Sequence, residues 1–145
     1  MKMKIKKVFL ASDHAGFVLK QKISKFLTNK GIKNLDLGTK NKDSVDYPDY
    51  AHLLAKRMKT KKNNIGILVC GSGIGMSMAA NRHKNIRAAL CINIKSARLS
   101  RKHNNANVLT LGSRLTRRDV ALKCVNTFLK TSFDGGRHLK RIKKI

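Results

Sequence analysis

The sequence predicts an α/β fold: a single three-layer sandwich in which a parallel five-stranded sheet carries helices on both faces. Three observations support this prediction. Apolar runs of strand length recur along the chain, and stretches with helical spacing lie between them. Strands that alternate with helices in this rhythm imply right-handed crossovers, and these give a parallel sheet covered on both sides. No linker, low-complexity tract or internal repeat interrupts the pattern, so we expect one domain over residues 1–145.

The individual elements follow from local patterns, taken in chain order. Apolar runs predict strands at Val8 to Ala11, Ile32 to Leu37, Ile65 to Cys70, Arg87 to Ile92 and Asn107 to Leu111. Helical spacing covers residues 15 to 29, 48 to 60, 74 to 82, 95 to 102 and 116 to 130. The first helix has an apolar stripe formed by Leu19, Ile23, Phe26 and Leu27, with lysines on the opposite side. The single proline, Pro48, suits the first turn of the second helix.

Polar residues and glycines follow three of the predicted strands. Ser12, Asp13 and His14 come after the first strand, Cys70 to Gly75 end the third, and Gly112 to Arg114 follow the fifth. In open α/β sheets, ligands bind outside the carboxyl ends of the strands. We therefore expect the functional site at this edge of the sheet.

The charge balance raises the question of a nucleic-acid partner. The 145 residues include 33 Lys and Arg against 7 acidic residues, all of them Asp, which gives a net charge of +26. Such a surplus is typical of proteins that bind phosphate backbones. Here, however, the bases are mostly lysine and spread through all predicted helices without aromatic interleaving. We therefore do not expect a nucleic-acid partner, and the charge would raise the local concentration of a phosphorylated substrate.

Cysteine usage and hydropathy point to the cytoplasm. Cys70, Cys91 and Cys124 are too far apart for any CxxC pair, and their odd number does not close a disulfide framework. The apolar run near the start is too short for a signal peptide, and no run approaches the roughly 18 apolar residues of a membrane helix. We expect a cytoplasmic protein with no membrane partner.

The glycine-rich stretch CGSGIGM, which begins at Cys70, does not match a nucleotide-binding motif. A dinucleotide fingerprint would need glycine at Met76 and an acidic residue about 20 positions later, but no Asp or Glu occurs between residues 50 and 118. No GK[ST] follows the turn, which excludes a P-loop. What remains is a helix start whose amides suit an oxyanion or phosphate, beside a thiol whose thiolate form such a field favours. The alternative is a buried cysteine that ends a strand.

Five linked motifs then point to one family. They are SDHAG at 12 to 16, DYPDYA at 46 to 51, CGSGIGMSMAANR at 70 to 82, SRKHNNANVLTLGSR at 100 to 114 and GGRHLKRI at 135 to 142. In this order they cover essentially the whole chain, which resembles the type B ribose-5-phosphate isomerases. The resemblance implies a cofactor-independent, Rossmann-like homodimer. It also implies interconversion of D-ribose 5-phosphate and D-ribulose 5-phosphate through an enediolate, in the non-oxidative pentose phosphate pathway.

The resemblance assigns catalytic roles to particular residues. Cys70 corresponds to the base; a second branch of the family uses a glutamate at the position of Met76, and this chain has no Glu. The oxyanion hole is formed by the turn Gly71, Ser72, Gly73, Ile74 and Gly75. His103 corresponds to the acid that opens the furanose ring, and Asn104 to a ligand of sugar oxygens. From position alone, His103 could equally be a histidine that satisfies the last carbonyls of a helix. Asn105 and Ala106 replace Asp and Thr of some relatives, which changes the polarity around His103.

The phosphate end is assigned in the same way. Arg137 and Arg141 stand at i and i+4, so a helix would put both on one face. On the residues alone this stretch is a basic, solvated tail. The resemblance implies instead that the segment 135–145 reaches the partner subunit's site, where the arginines are joined by His14 and Arg114.

The remaining pocket candidates are Asp13 and Tyr47. By resemblance Asp13 contacts sugar hydroxyls, whereas its position after a strand also suits a helix N-cap. Tyr47, beside Pro48, belongs either to the pocket or to packing. His138 is left open between phosphate contact and surface.

The sequence leaves some partners and alternatives open. We expect a homodimer with shared active sites, a tetramer being the alternative, and neither metal nor cofactor; Asp43, Asp46, Asp49 and His52 are better explained as a polar loop than as a metal site. Two other functions stay open. One is isomerisation of a hexose 6-phosphate such as allose or galactose 6-phosphate. The other is a non-catalytic basic module that binds nucleic acid or nucleotide.

Overall fold

The computed structural model describes residues 4–5, 7–59 and 63–145. Its strands are β1 (Lys7–Ser12), β2 (Asn34–Asp36), β3 (Asn64–Cys70), β4 (Ala88–Leu90) and β5 (Val108–Gly112). Its helices are α1 (Phe17–Asn29), α2 (Tyr47–Met58), α3 (Ile74–Ala80), α4 (Ile94–Asn104), α5 (Arg118–Lys130) and α6 (Arg137–Ile142). All strand pairs are parallel, and the sheet order is β2-β1-β3-β5-β4.

Two apolar cores, one on each face of the sheet, confirm the three-layer sandwich. Side chains of α1, α4 and α5 pack on one face, and side chains of α2 and α3 pack on the other. Alternate residues of the central strands serve the two cores, as the pleat requires: Val8 and Leu10 face the first core, Phe9 and Ala11 the second. Every residue of β3 and β5 is buried, because a parallel strand in the middle of a sheet is covered on both faces.

The predicted and observed elements differ most at the edges of the sheet. The strands predicted at residues 32–37 and 87–92 are three-residue strands, because β2 and β4 are the edge strands and each pairs on one side only. The first helix begins at Phe17 rather than residue 15, and the fifth at Arg118 rather than residue 116. The last residue predicted for the second helix, 60, lies outside the described residues; the described helix ends at Met58.

The fourth helix is longer than predicted. Asn93 accepts a hydrogen bond from the Ser96 amide while the Ser96 hydroxyl accepts one from the Asn93 amide, so a capping box starts α4 at Ile94. At the other end Asn105 takes a left-handed conformation (φ 45°), which ends the helix after Asn104. His103 therefore lies inside the last turn of α4.

The direction of the chain creates two different edges, which we call the carboxyl edge and the amino edge after the strand ends that form them. In a parallel sheet each helix carries the chain from the carboxyl edge back to the amino edge. The segments after β1, β3 and β5 therefore lie at the carboxyl edge, and the last turns of α4 and α5 lie at the amino edge. None of the described helices is long and apolar enough to cross a membrane.

Candidate active site

A cavity of about 370 Å³ opens at the carboxyl edge. It is lined by Asp13, Tyr47, Cys70, Gly71, Ser72, Gly75, Arg114 and Leu115. Together with His14 and the rest of the glycine turn, we call these residues the carboxyl-edge cluster. Seven of the eight lining residues are among those expected from the sequence; Leu115 is the addition, and its one signal is that it directly follows Arg114. The cavity lies at the edge of the sheet where the sequence predicts the functional site.

Cys70 is held at the floor of this cavity. It is the last residue of β3 and only 4% exposed, and its Sγ accepts a hydrogen bond from the Gly73 amide at 3.1 Å. An amide that donates to sulfur stabilises the negative charge of a thiolate. Gly73 has φ 77°, and a Cβ there would lie 2.6 Å from Leu90 and 2.9 Å from the Leu111 carbonyl carbon, so only glycine fits this turn. The turn thus positions a buried thiol and an amide donor together.

The rest of the turn is closely packed against the cavity walls. A Cβ on Gly75 would lie 2.4 Å from Tyr47 Cζ, so the tyrosine ring stands directly over the start of α3. The Ser72 hydroxyl accepts a hydrogen bond from the Ile74 amide at 3.2 Å. The Arg114 amide donates to the Gly71 carbonyl at 3.0 Å, which fixes the base of the arginine beside the turn. Tyr47 is therefore a wall of the cavity as well as a packing residue.

The residues that follow β1 complete this edge. Asp13 is 6% exposed, and its Oδ1 accepts a hydrogen bond from the Gly16 amide at 3.0 Å. Asp13 is not the N-cap of α1, because Gly16 occupies that position without a side-chain cap; Asp13 instead closes the turn that precedes the helix, and it lines the cavity. His14 Nδ1 accepts a hydrogen bond from the Val45 amide at 3.2 Å. A neutral His14 therefore carries its proton on Nε2, where it can donate to a ligand.

A second group of predicted residues lies at the amino edge. It comprises His103 and Asn104 at the end of α4 and Arg137 and Arg141 on α6, with His138 between the two arginines. We call it the amino-edge cluster. The His103 and His138 rings are stacked, with centroids 4.3 Å apart and planes 9° from parallel. Helix α6 is formed as the i, i+4 spacing requires, and both arginines are exposed.

The charges of this cluster act on His138. Its pKa is lowered by desolvation first, and then by the positive charges of His103, Arg137 and Arg141, while Asp134 opposes the shift. The segment that carries Asp134 is fastened to α4, because the Asp134 amide donates to the Lys102 carbonyl at 3.0 Å and the two side chains form an exposed ion pair at 3.5 Å. The cluster is thus a positively charged surface built on helix ends.

The two clusters do not meet within one chain. The sheet register pairs Gly66 with Val108 and Cys70 with Gly112. Val108 is therefore four residues, or about 13 Å of strand, from the level of Cys70. His103 and Asn104 precede Val108 and lie further toward the amino edge. The structure brings Asp13, Tyr47, the glycine turn and Arg114 to Cys70, and it does not bring His103, Asn104, Arg137 or Arg141 there.

Two other features concern residues outside these clusters. A cavity of about 340 Å³ at the amino edge is lined by residues that include Asn64, Arg87 and Arg101, and none of the predicted site residues lines it. His52 Nδ1 lies 2.7 Å from His83 Nε2. The pKa of His83 is lowered, by burial first and then by the charges of His52, Lys59 and Lys56.

Known proteins share both the sequence and the fold. The family model described as Ribose/Galactose Isomerase matches residues 8–145. A probable ribose-5-phosphate isomerase B of Mycoplasma pneumoniae is 47% identical over 139 residues, which are 95% of this chain and 91% of that protein. The ribose-5-phosphate isomerase B of Escherichia coli is 40% identical over 141 residues, 97% of this chain and 95% of that protein.

Two solved structures show how far the similarity of fold extends. The ribose 5-phosphate isomerase of Thermotoga maritima superimposes with a TM-score of 0.93 at 52% identity, with 95% of each chain covered. Ribose-5-phosphate isomerase B of Mycoplasma genitalium, solved with bound ribulose-5-phosphate, gives a TM-score of 0.93 at 44% identity, covering 97% of this chain and 95% of that one.

Proposed function

This chain belongs to the Ribose/Galactose Isomerase family and is an isomerase, and from this premise we propose that it interconverts D-ribose 5-phosphate and D-ribulose 5-phosphate. The observation that carries the proposal is Cys70, buried at the floor of the carboxyl-edge cavity with an amide donating to its sulfur. A similar chain of 44% identity has been solved with ribulose-5-phosphate bound. The reaction would be part of the non-oxidative pentose phosphate pathway.

We assign the proton transfer to Cys70. As a thiolate it removes the proton from C2 of the open-chain aldose, the electron pair forms the C1=C2 double bond, and negative charge moves onto O1. Return of the proton to C1, with transfer of the hydroxyl proton from O2 to O1, gives the ketose. A positioned base contributes about 10²- to 10⁴-fold to such a step.

The enediolate needs donors aimed at its oxygen. We assign the Gly73 amide to the sulfur and the other amides of the turn, Gly71, Ser72, Ile74 and Gly75, to the enediolate and its neighbouring oxygens. Donors fixed in this way stabilise charge that develops in the transition state. Asp13 and Tyr47, which also line the cavity, would contact the sugar hydroxyls.

Ring opening and phosphate binding use the amino-edge cluster. We assign the acid that opens the furanose ring to His103, the sugar contacts beside it to Asn104, and the phosphate to Arg137 and Arg141. Two guanidiniums on one helix face suit a dianion. Arg114 and the Nε2 proton of His14 would complete the phosphate site from the carboxyl edge.

Since these two clusters lie at opposite edges of one chain, a complete site takes one cluster from each of two chains. We therefore propose a homodimer with two shared active sites, in which the single domain of residues 1–145 extends its segment 135–145 toward the partner. Exposed apolar side chains support a partner surface beside the cavity: Leu115, in its lining, is 65% exposed, and Ile74 and Met78 on α3 are 45% and 67% exposed. Association of two such dimers would give the tetramer. We also propose a cytoplasmic location, consistent with three free cysteines.

A second substrate class remains a candidate because the family model covers galactose as well as ribose isomerases. A hexose 6-phosphate is one carbon longer, so it would need more distance between the base and the phosphate ligands. That distance is set between Cys70 on one chain and Arg137 on the other. The non-catalytic basic module is not favoured, because binding nucleic acid or nucleotide does not require a buried thiol in a ligand-sized cavity.

The test is turnover of purified, metal-free protein on ribose 5-phosphate, with allose 6-phosphate and galactose 6-phosphate in parallel. We expect ribulose 5-phosphate to form, and the Cys70→Ser variant to lose that activity. Turnover of a hexose phosphate alone would replace the pentose assignment. Silence on all three sugars, together with salt-sensitive retention on DNA or RNA, would support the basic binding module instead.

A further inference from the structure

Three side chains at the amino edge bring metal-ligating atoms together. His103 ends α4, Asp134 lies in the segment after α5, and His138 lies in α6. One ring nitrogen from each histidine and one carboxylate oxygen all lie within 4.8 Å of one another. Two imidazoles and a carboxylate, with a fourth position open to water, are a ligand set that Zn²⁺ takes in proteins.

The backbones that carry these ligands are fastened to one another. The Asp134 amide donates to the Lys102 carbonyl at 3.0 Å, directly before His103. Arg101 Nε donates to the Thr131 carbonyl at 3.2 Å, which ties α4 to the end of α5. The His138 amide donates to the Gly135 carbonyl at 3.0 Å and starts α6. These ties hold the main chain of the three ligands together, so we assign the adjustment that the site needs to the side chains.

The adjustment is small. A tetrahedral Zn²⁺ with ligands at about 2.0–2.1 Å holds their atoms about 3.3 Å apart, so the three side chains must close by no more than about 1.5 Å. At least one ring must tilt from the present stacking, because an imidazole lone pair lies in the ring plane. Asp134 is exposed and His103 half-buried, so both can change rotamer. Asp134 must also exchange its exposed ion pair with Lys102 for the metal.

We propose that His103, Asp134 and His138 bind one Zn²⁺ ion, and that the bound ion inhibits the enzyme by occupying His103. A ring nitrogen that ligates zinc can neither donate nor accept the proton of ring opening. The inhibitory half rests on the proposed function, since it needs His103 as the acid; the metal site itself does not. The ion is an inhibitor here and takes no part in the reaction.

The surrounding charge limits which cation can bind. Lys102, Arg137 and Arg141 oppose any cation at this surface, so a metal must gain from direct ligand bonds. Imidazole nitrogen is a good ligand for Zn²⁺ and a poor one for Mg²⁺, which requires oxygen. Selectivity for Zn²⁺ over Mg²⁺ is therefore part of the proposal.

The experiment uses the full-length chain without an affinity tag. Calorimetric titration with Zn²⁺ is run on the wild type, Asp134→Asn and His138→Gln, and Mg²⁺ is titrated into the wild type. Asp119→Asn is the matched control for the carboxylate, because Asp119 also forms an exposed ion pair, with Arg117 at 3.2 Å, outside the cluster. His52→Gln is the control for the imidazole. Isomerase activity of the wild type, Asp134→Asn and Asp119→Asn is then measured with increasing Zn²⁺ and after chelation.

We expect one Zn²⁺ per chain in the wild type and in both controls. Loss of one ligand should weaken binding by at least the roughly 10- to 100-fold that even an outer-shell change causes. Zn²⁺ should inhibit the wild type and Asp119→Asn, reversibly on chelation, and leave Asp134→Asn active at the same concentration.

Each contrary result would overturn one part of the proposal, either the metal site or the inhibition, or would count against the proposed function. Equal Zn²⁺ affinity in the wild type, Asp134→Asn and His138→Gln, or equal affinity for Mg²⁺, would overturn the site. If Asp134→Asn loses Zn²⁺ binding but is inhibited by Zn²⁺ as strongly as the wild type, the proposed inhibition through His103 is wrong. A metal-free wild type that turns over no sugar phosphate would count against the proposed function, while the calorimetry would still decide the metal site.

Discussion

The carboxyl edge and the amino edge of the sheet carry the two halves of the proposed active site, and they are built differently. At the carboxyl edge Cys70 and Asp13 are at least nine-tenths buried, and the glycine turn packs closely against Leu90, Gly112 and Tyr47. At the amino edge Asn104, Arg137 and Arg141 are exposed on helix ends.

The difference indicates what each half requires. The proposed mechanism requires Cys70 and its amide donors to be held to a fraction of an ångström, and strand ends in a buried sheet provide that rigidity. The residues proposed as the acid and the phosphate ligands are positioned by helix ends, and only a second chain would bring them to Cys70. In the proposed dimer, the fold would complete one half of the site and assembly the other.

The largest expected effect is at Cys70. Cys70→Ser should lower kcat by about 10²- to 10⁴-fold, because an alcohol is a much weaker base than a thiolate. Steady-state kinetics on ribose 5-phosphate measure it. Cys91→Ser is the matched control, since Cys91 is also buried but lies outside the cavity and burial raises its pKa. Near-normal turnover of a folded Cys70→Ser protein would remove Cys70 from the mechanism.

The next effect tests the amino edge. Arg141→Ala should raise KM for ribose 5-phosphate by roughly ten- to hundredfold, because a hydrogen bond to a charged group is worth about 1.5–3 kcal/mol. kcat should change little, since phosphate contacts are made in the ground and transition states alike. Lys140→Ala, the adjacent exposed cation on α6, should leave KM nearly unchanged. Equal effects of the two substitutions would make this segment a solvated tail.

A third prediction concerns the tightness of packing at the carboxyl edge. A Cβ on Gly112 would lie 2.5 Å from the Ser72 carbonyl oxygen, and backbone cannot swing aside. Gly112→Ala should lower the free energy of unfolding by about 3 kcal/mol, at the upper end for overpacking. In Gly75→Ala the clash is with the ring of Tyr47, which is 39% exposed and can move, so the loss should be clearly smaller. Denaturant unfolding of both variants measures the two losses in the free energy of unfolding. Equal losses would contradict the inference that the backbone at the carboxyl edge is rigid.

The smallest effect is a pH dependence of the amino edge. The pKa of His138 in the folded chain is below its ordinary value of 6.5, so in the window just below that value the unfolded chain binds the proton more readily. The stability of the α6 region should therefore fall as pH drops through this window, and it should be fully present above it. Hydrogen exchange of the α6 amides across this pH range measures the loss of local stability. In His138→Gln this stability should depend less on pH. An equally steep loss in His138→Gln would assign the sensitivity to another group.

Much of the fold was predictable because burial determines the pattern of apolar residues along each strand and helix. The runs at Val8, Ile65 and Asn107 gave central strands within one or two residues of their observed bounds, since a strand buried on both faces is apolar throughout. The edge strands β2 and β4 were overestimated: flanking residues such as Leu37 and Cys91 each donate one backbone hydrogen bond to the neighbouring strand but lie outside the regular strand pairing. The length of α4 was underestimated, because its end depends on the left-handed backbone of Asn105, which local hydrophobic spacing does not indicate.

The candidate site was predictable only in part. Asp13, Cys70 and Arg114 could be expected together because each follows a parallel strand and strand ends share one edge. The opposite location of His103 follows from the return direction of α4 in a parallel sheet, but the spacing of the motifs alone does not indicate it. Motifs that belong to one function in the sequence are thus separated by the length of the sheet in one chain.

The measurement that tests the account most directly is complementation between two inactive variants. Cys70→Ser and His103→Asn proteins are each purified, mixed in equal amounts, dissociated in mild denaturant and allowed to reassociate, with each variant carried through the same treatment alone. In a mixed dimer with shared sites, one site has both substitutions and the other has neither. Random reassociation should therefore restore roughly a quarter of the wild-type activity, because half of the dimers are mixed and each has one intact site. If the mixture stays as inactive as its components while mixed dimers are present, Cys70 and His103 do not act in one site contributed by two chains, and the central claim is wrong.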